Sequence, residues 1–326
     1  MIRKPTTKIE GMKIAIFNGF TFHYEMFGYI IYYCKYKGYE LTVFKPNRND
    51  QDQGYIGFYN QHYGSYRVTY KDIGLFENEK HVFDAIFLVT DDDPHFDTGN
   101  RIINEKTICI DHSYRIRSPI FSKRIAVRPF AAGYYRDWAL PMYPILDISQ
   151  KMQKKHASSD EIHITLLGDS VMPYHVGILN RIEKPKKIVI HAISRFMSPD
   201  KFNGIRSDIA LHVYRNISTD ELFSIMYTSD YCITDLTESK NYVDEVMSGS
   251  IPLAFSTLTP LILSKQSNSY YRFKNVIEYD KCTDEDIHLH EIDMNLLEQE
   301  REYFIQKNHI LFDAFLLPLS EPLSLP

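Results

Sequence analysis

The chain of 326 residues has few cysteines and no long apolar run. Its four cysteines are scattered without C-x-x-C spacing, a pattern that predicts neither disulfides nor zinc and is typical of a reducing compartment. No stretch of about 18 apolar residues is present, so we expect no membrane span. Residues 1–12 are polar and lack the apolar core of a signal peptide, and we therefore expect a cytoplasmic protein.

Several well-known catalytic and nucleotide-binding motifs are also missing. No G-x-G-x-x-G follows the first predicted strand, and the chain contains no G-x-x-x-x-G-K-[ST], H-E-x-x-H or G-x-S-x-G. These absences disfavour a dehydrogenase, a P-loop NTPase, a zinc protease and an α/β-hydrolase. The net charge of -5 argues against wrapping a nucleic-acid backbone, which needs a basic face, so no nucleic-acid partner is expected.

Short apolar runs separated by helical patterns predict an α/β protein. Residues 13–18 read as a buried strand, residues 24–36 as a helix stopped by Gly38, and residues 41–44 as a second strand. This order is a βαβ unit with parallel strands. Later runs are apolar on both faces, as buried parallel strands are, and the spacing predicts strands at 66–70 (in a hairpin), 85–89, 107–110 and 125–127.

A second α/β series begins after residue 160. Ser218 and Glu221 form a capping box that predicts a helix over 219–228, and residues 295–315 have the pattern of a long closing helix. Strands are predicted at 162–167, 188–191, 210–214, 231–234, 251–255 and 276–279.

The length suits two domains of about 150 residues each. We predict an N-terminal domain of residues 1–140, a proline-containing linker of residues 141–160 and a C-terminal domain of residues 161–326. In open parallel sheets, ligands lie beyond the carboxyl ends of the strands. The residues that follow each strand are therefore the candidates for function.

The segment 217–263 resembles a known family. It contains a capped helix ending at Asp230, a short strand, an acidic loop, a helix opening near Glu245 and the run Gly249–Leu253. This order resembles the C-terminal half of GT-B-fold glycosyltransferases, which have two Rossmann-like domains facing across a cleft. The resemblance implies glycan biosynthesis: transfer of a hexosyl or pentosyl group from a nucleotide-diphosphate sugar, with UDP or GDP as the nucleotide, to a glycan or other hydroxyl acceptor.

The same segment supplies most donor-site candidates. A helix opening near Tyr242 would point unpaired amide hydrogens at a diphosphate, with Lys240 and Asn241 adding a charge and further donors. The resemblance assigns Glu245 to the ribose hydroxyls and Glu238 to the transferred sugar. Further donor-site candidates follow the first three strands of the second series: Gly168, Asp169, Ser170, Arg195 and Arg215.

The acidic pair departs from the family pattern. Six residues separate Glu238 from Glu245, whereas retaining GT-B enzymes have seven residues between their two glutamates. The string ESKNYVDE is also similar to a fucosyltransferase donor motif, but Val246 stands where that motif has a lysine. Donor identity and the choice between inversion and retention therefore stay open.

An acceptor hydroxyl needs a base, and histidine or aspartate suits this role at neutral pH. The candidates in the first domain are His23 with Glu25, the acidic run 91–93, and Asp111 with His112. We predict Asp111 first and His23 second. Asp111 ends a strand, and the string IDHSYRIRSP is similar to strand-to-loop junctions that hold an aspartate base in some phage DNA glucosyltransferases.

Two alternatives stay open. Asp91 and Asp93 form a D-x-D after an apolar strand, the motif by which the single-domain glycosyltransferase fold binds Mn²⁺ or Mg²⁺. The repeated α/β pattern favours metal-independent transfer with no required cofactor, although Mn²⁺ or Mg²⁺ would serve in the alternative. The second alternative is a non-catalytic bilobed protein that binds a ligand without turnover.

Overall fold

A computed structural model of the chain describes residues 11–21, 23–47, 54–89, 104–112, 121–129, 137–154, 160–168, 175–183, 186–195, 197–234 and 247–316. These residues form two compact units. The first unit contains the described residues of 11–127, 137–141 and 306–316. The second contains residues 128–129 and the described part of 142–305. Within the described residues, no helix has both the length and the apolar character that crossing a membrane requires.

The first unit is built on a parallel sheet of six strands. Its strands are β1 Lys13–Phe17, β2 Glu40–Lys45, β3 Val68–Asp72, β4 Ala85–Leu88, β5 Thr107–Asp111 and β6 Lys123–Ala126. Its helices are α1 Gly28–Lys37, α2 Tyr55–Tyr63 and α3 Phe76–Glu79. The strand order is β3-β2-β1-β4-β5-β6, with every neighbouring pair parallel. Strands β4 and β5 are buried along their whole length, which is why their sequences are apolar on both faces.

The second unit repeats this topology. Its strands are β7 Glu161–Leu167, β8 Lys187–Ser194, β9 Ile209–Arg215, β10 Tyr231–Ile233, β11 Leu261–Ser264 and β12 Val276–Tyr279. Its helices are α4 Ile148–Lys154, α5 His175–Asn180, α6 Thr219–Thr228, α7 Ser250–Ser256, α8 Lys265–Tyr271 and the start of α9 Met294–Leu316. The order β12-β11-β10-β7-β8-β9 is the first unit's order read from the other edge. Both sheets have the strand order of a Rossmann fold, so the predicted α/β class with two Rossmann-like domains is confirmed.

Two predicted strands differ from the structure. Residues 251–255 lie in helix α7, and the strand that pairs with β10 is β11, where Cys232 aligns with Leu261. Pro252 is compatible with the first turn of a helix because the amide hydrogens there have no intrahelical partner. Strand β3 pairs in parallel with β2, so residues 66–70 are not part of a hairpin. A short apolar run does not by itself distinguish a strand from a buried helix.

The C-terminal half of α9 belongs to the first unit, whereas the sequence placed all of 161–326 in one domain. The reason is the burial of Phe312, which is fully inaccessible to solvent and packs against the rings of Tyr29, Tyr33 and Phe87 with centroids 5.0–5.4 Å apart. Beside it, the carboxylate of Asp313 accepts hydrogen bonds of 2.7 Å from the Tyr33 hydroxyl and the Lys37 ammonium group.

Part of the predicted linker, residues 141–160, is hydrogen-bonded to other elements of the second unit. Arg301 donates to the carbonyl oxygen of Leu146 at 2.6 Å. Lys151 in α4 is buried and donates to the carbonyl oxygens of Met226 and Ser229 and to the Thr259 hydroxyl, at 2.9–3.1 Å. An ammonium group has three donors, and here each of them has an acceptor at the end of α6 or beside it.

Replacing Phe312 by alanine tests the role of α9 in the first unit. Removing a fully buried phenylalanine costs about 3–5 kcal/mol, so Phe312→Ala should lower the urea midpoint of unfolding markedly. Ile310→Ala is the matched control, because Ile310 lies on the same helix and is 59% exposed, and it should change the free energy of unfolding by less than about 0.5 kcal/mol. Equal effects of the two substitutions would contradict this packing.

Candidate functional site

The strand order of each sheet fixes where a ligand would bind. The order reverses between β1 and β4 in the first sheet and between β7 and β10 in the second. In open parallel sheets, ligands lie beyond the carboxyl ends of the strands at such a reversal. The residues at these positions are Asn18 and Val89 in the first unit, and Gly168 and Thr234 in the second.

In the first unit, two histidines and a glutamate lie together beyond the carboxyl ends of β1 and β5. The Nδ1 atom of His23 is 3.2 Å from Oε1 of Glu25. The rings of His23 and His112 are tilted by 51° with centroids 4.4 Å apart. The Nε2 atom of His112 is 2.9 Å from the carbonyl oxygen of Val89, and because a carbonyl only accepts, this nitrogen carries a proton. The side chains of His23 and Glu25 are 27% and 35% exposed, so solutes reach them.

A strained turn presents His23 and Glu25. His23 has a φ of 68°, a left-handed conformation that costs a non-glycine residue about 1–2 kcal/mol. The following residues form a single 3₁₀ turn, Tyr24–Phe27, in which Tyr24, Met26 and Phe27 are buried. The Tyr59 hydroxyl on α2 lies 3.2 Å and 3.1 Å from the carbonyl oxygens of Tyr24 and Glu25. These contacts hold the turn and therefore fix the direction of both side chains.

The environment of Glu25 keeps its carboxyl group ionised. Burial raises the pKa of Glu25, but the hydrogen bond from His23 and the positive charge that His23 and His112 carry when protonated bring this pKa below its ordinary value. An ionised carboxylate only accepts hydrogen bonds, so Nδ1 of His23 carries the shared proton. In the neutral ring, Nε2 then holds a lone pair.

Asp111, the first predicted base, lies in a buried ion pair. Its side chain is 1% exposed, and its oxygens accept hydrogen bonds of 2.9 Å and 2.5 Å from Nε and Nη2 of Arg124 on the next strand. A bidentate pair of this kind suits the burial of a carboxylate, since an unpaired buried charge is costly. The geometry makes Asp111 a partner of Arg124.

In the second unit, three hydroxyl groups converge beyond the carboxyl end of β10. Thr234, Ser248 and Ser250 lie within hydrogen-bond distance of one another, at 2.6 Å for Thr234–Ser250, 3.1 Å for Thr234–Ser248 and 2.5 Å for Ser248–Ser250. Thr234 and Ser250 are each 3% exposed and Ser248 is half-buried, so a ligand would bond to these hydroxyl groups by replacing their contacts with one another. The sequence analysis missed this group, although a threonine directly after an apolar strand was a signal for Thr234.

The other described donor candidates also lie at strand ends. Gly168 follows β7 with a φ of 112°, a conformation that favours glycine, and its N–H donates to the carbonyl oxygen of Ile193 at 3.0 Å. Arg195 and Arg215 are exposed at the ends of β8 and β9. The remaining candidates lie outside the described residues: Asp91, Asp93, Asp169, Ser170, Glu238, Lys240, Asn241, Tyr242 and Glu245. Among the residues that are described, no group of three histidine, cysteine, aspartate or glutamate side chains is arranged to hold a metal ion.

Comparison with known proteins identifies the fold. No family model and no curated protein matches the sequence. An α-glucosyltransferase solved with UDP and a 13-mer DNA containing an HMU base has a TM-score of 0.53 and 10% identity, over 93% of this chain and 95% of that one. Anabaena HepE, solved with UDP-glucose, has a TM-score of 0.51 and 11% identity, over 94% of this chain and 95% of that one.

The chain has the GT-B fold. The expectation from segment 217–263 is therefore confirmed for the architecture. Identities of 10% and 11% establish the GT-B fold and leave the reaction to be argued from the site.

The pKa of the Glu25 carboxyl group indicates whether Glu25 is paired with His23. We expect His23→Ala to raise the pKa of the Glu25 carboxyl, because the substitution removes a hydrogen bond and a charge that lower it. A ¹³C NMR titration of the glutamate carboxyl groups measures it. His81→Ala, which removes an exposed histidine elsewhere in the first unit, should leave the Glu25 titration unchanged. An unchanged midpoint in His23→Ala would show that the pairing is absent in solution.

Proposed function

We propose that this chain is a glycosyltransferase that moves a sugar from a nucleotide-diphosphate sugar to an acceptor hydroxyl group. The observation that carries this proposal is the pair His23–Glu25, held beyond the first strand of a GT-B fold with a lone pair on Nε2. The two neighbours described above were solved with UDP or UDP-glucose, which supports a uridine nucleotide as the first donor to test.

His23 is the proposed base, in place of Asp111. Its Nε2 accepts the proton of the acceptor hydroxyl while the oxygen attacks the anomeric carbon of the donor sugar. The bond from that carbon to the diphosphate oxygen breaks, and the nucleoside diphosphate leaves with the electron pair. Glu25, hydrogen-bonded to Nδ1 of His23, orients the ring and stabilises the imidazolium that forms. A single displacement of this kind inverts the anomeric configuration.

The second unit is the proposed donor site. The hydroxyl groups of Thr234, Ser248 and Ser250 would donate to diphosphate oxygens, and the guanidinium groups of Arg195 and Arg215 would offset their charge. The roles predicted for Glu238, Lys240, Asn241, Tyr242 and Glu245 belong to this same proposal. If these groups offset the charge of the diphosphate, the transfer would need no metal. In the alternative, a cation bound by Asp91 and Asp93 would hold the diphosphate.

A glycan is the proposed acceptor. The net charge of -5 disfavours a polyanionic acceptor, although one structural neighbour was solved with DNA. The four cysteines are free and three of them are buried, which supports a reducing compartment such as the cytoplasm as the place of reaction.

A thermal-shift panel of UDP, GDP, CMP and their sugars, with EDTA or with Mn²⁺, tests donor binding. A ligand at about 100 times its Kd stabilises the native state by about 2.7 kcal/mol. We expect one nucleotide class to raise the Tm in the presence of EDTA. Stabilisation only with Mn²⁺ would transfer the assignment to the Asp91–Asp93 alternative, and no shift with any nucleotide would overturn the donor site.

The three neighbouring hydroxyl groups of the second unit are tested in the same thermal-shift assay. Thr234→Val and Ser250→Ala each remove one hydroxyl, and losing one hydrogen bond of about 1 kcal/mol should weaken nucleotide binding about fivefold. Thr228→Val is the matched control, because its hydroxyl bonds only to carbonyl oxygens within α6 among the contacts seen.

The base assignment is tested by turnover. We expect His23→Ala to reduce kcat by about 10²–10⁴-fold and to leave nucleotide affinity unchanged. Glu25→Gln should also reduce kcat, because a neutral amide does not stabilise the imidazolium that forms on His23. His81→Ala, which removes an exposed histidine elsewhere in the first unit, serves as the control. If His23→Ala retained full turnover and Asp111→Asn abolished it while still folded, Asp111 would be the base.

A further inference from the structure

Outside the candidate site, three neighbouring strands of the second sheet carry a row of hydrogen-bonded rings. Nδ1 of His163 on β7 is 3.0 Å from Nε2 of His191 on β8. Nδ1 of His191 is 3.1 Å from the hydroxyl oxygen of Tyr214 on β9. At the other end, Nε2 of His163 is 3.5 Å from Oε2 of Glu161. Both histidines are buried, with exposures of 7% and 9%.

The charge of Glu161 favours one direction for the hydrogen bonds in the row. The contact between Nε2 of His163 and Glu161, at 3.5 Å, is an ion-pair distance and not a hydrogen bond. The negative charge of the carboxylate favours the neutral tautomer of His163 that carries its proton on Nε2. Its Nδ1 then accepts from Nε2–H of His191, and Nδ1 of His191 accepts from the Tyr214 hydroxyl. Burial raises the pKa of Tyr214 above its ordinary value, so this hydroxyl keeps its proton at neutral pH. The opposite direction would place a lone pair of His163 against the carboxylate.

The distance between the two imidazoles limits the row to one added proton. Two nitrogens 3.0 Å apart hold a single hydrogen between them, because two N–H groups pointing at each other would collide. One added proton can stay on His191, whose Nδ1 then donates to the Tyr214 oxygen, or it can reach His163 through reversal of the row. On reversal, His163 becomes an imidazolium, His191 carries its proton on Nδ1, and the Tyr214 oxygen changes from donor to acceptor.

We propose that His163, His191 and Tyr214 form a one-proton relay that makes the hydrogen bonding of Tyr214 sensitive to pH. A solvent proton binds the Tyr214 oxygen as the hydroxyl proton moves to Nδ1 of His191. The proton on Nε2 of His191 moves to Nδ1 of His163. Each N–H or O–H bond that breaks is replaced by one that forms, and the row gains one proton with its charge on His163.

The charged groups around the row favour this location of the charge. Glu161 faces His163 directly and is itself paired with Lys187 at 2.6 Å. The carboxylate of Asp230, at the junction of α6 and β10, accepts from the backbone N–H of His163 at 2.9 Å. On the β9 side, His191 stacks on His212 with centroids 5.5 Å apart. Among the described neighbours, two carboxylates and one ammonium group lie at the His163 end, so the added proton is more stable there than on His191.

Long-range ¹H–¹⁵N NMR of the histidine rings in the full chain tests the relay. At about pH 8, well above the ordinary histidine pKa, both rings should be Nε2–H tautomers. As the pH falls to about 5, His163 should become doubly protonated and His191 should switch to Nδ1–H with the same midpoint. Glu161→Gln should lower this midpoint by about half a unit.

Glu183→Gln is the matched control for the carboxylate. It removes a glutamate that pairs with the exposed His288, and the midpoint of the row should not move. Finding Nδ1–H on His191 at about pH 8, a second proton taken up by the pair, different midpoints for the two rings, or no titration down to about pH 5 would each overturn the relay. None of these readouts depends on nucleotide binding, so failure of the proposed function leaves the test intact.

Discussion

Parallel strand pairing is the constraint on which the functional part of both units depends. Parallel strands need a crossover connection, and all their carboxyl ends meet at one edge of the sheet. In the first unit, the end of β1 aligns with the ends of β2 and β4, where Phe17 is level with Phe44 and Leu88. In the second unit, Ile233 of β10 is level with Leu166 of β7. The chain leaves these strand ends at Asn18 and Val89 in the first unit and at Gly168 and Thr234 in the second.

Burial separates the ionic groups that support the fold from those that are available for chemistry. Lys151 is buried with an acceptor for each of its donors, and Asp111 is buried against Arg124. Such groups are held by the high cost of an unpaired buried charge. His23 and Glu25 form a comparable short contact, but both are more than a quarter exposed. This pair is therefore accessible to solvent, whereas Lys151 and Asp111 are enclosed.

The histidine of the candidate site and the two histidines of the buried row also differ in their exposure to solvent. His23 has a carboxylate on one nitrogen and a side chain that is 27% exposed, which suits the proposed base. His163 and His191 are enclosed between strands and share their proton with each other. Tyr214 and Glu161 lie at the two ends of their row. The first arrangement suits the proposed removal of a proton from a substrate, and the second suits the proposed sensing of pH.

The sequence by itself determined the local elements and the class of fold. Short runs apolar on both faces predicted parallel strands, and the capping box of Ser218 and Glu221 is present in the structure. The sequence did not determine which residues contact each other across neighbouring strands. Residues 251–255 have the same apolar pattern whether helical or extended, and only the pairing of β10 with β11 decided between them. Arg124 is 13 residues from Asp111, and His112 is 89 residues from His23. Their contacts depend on strand order and register, which arise from packing whole elements together and leave no trace in local periodicity.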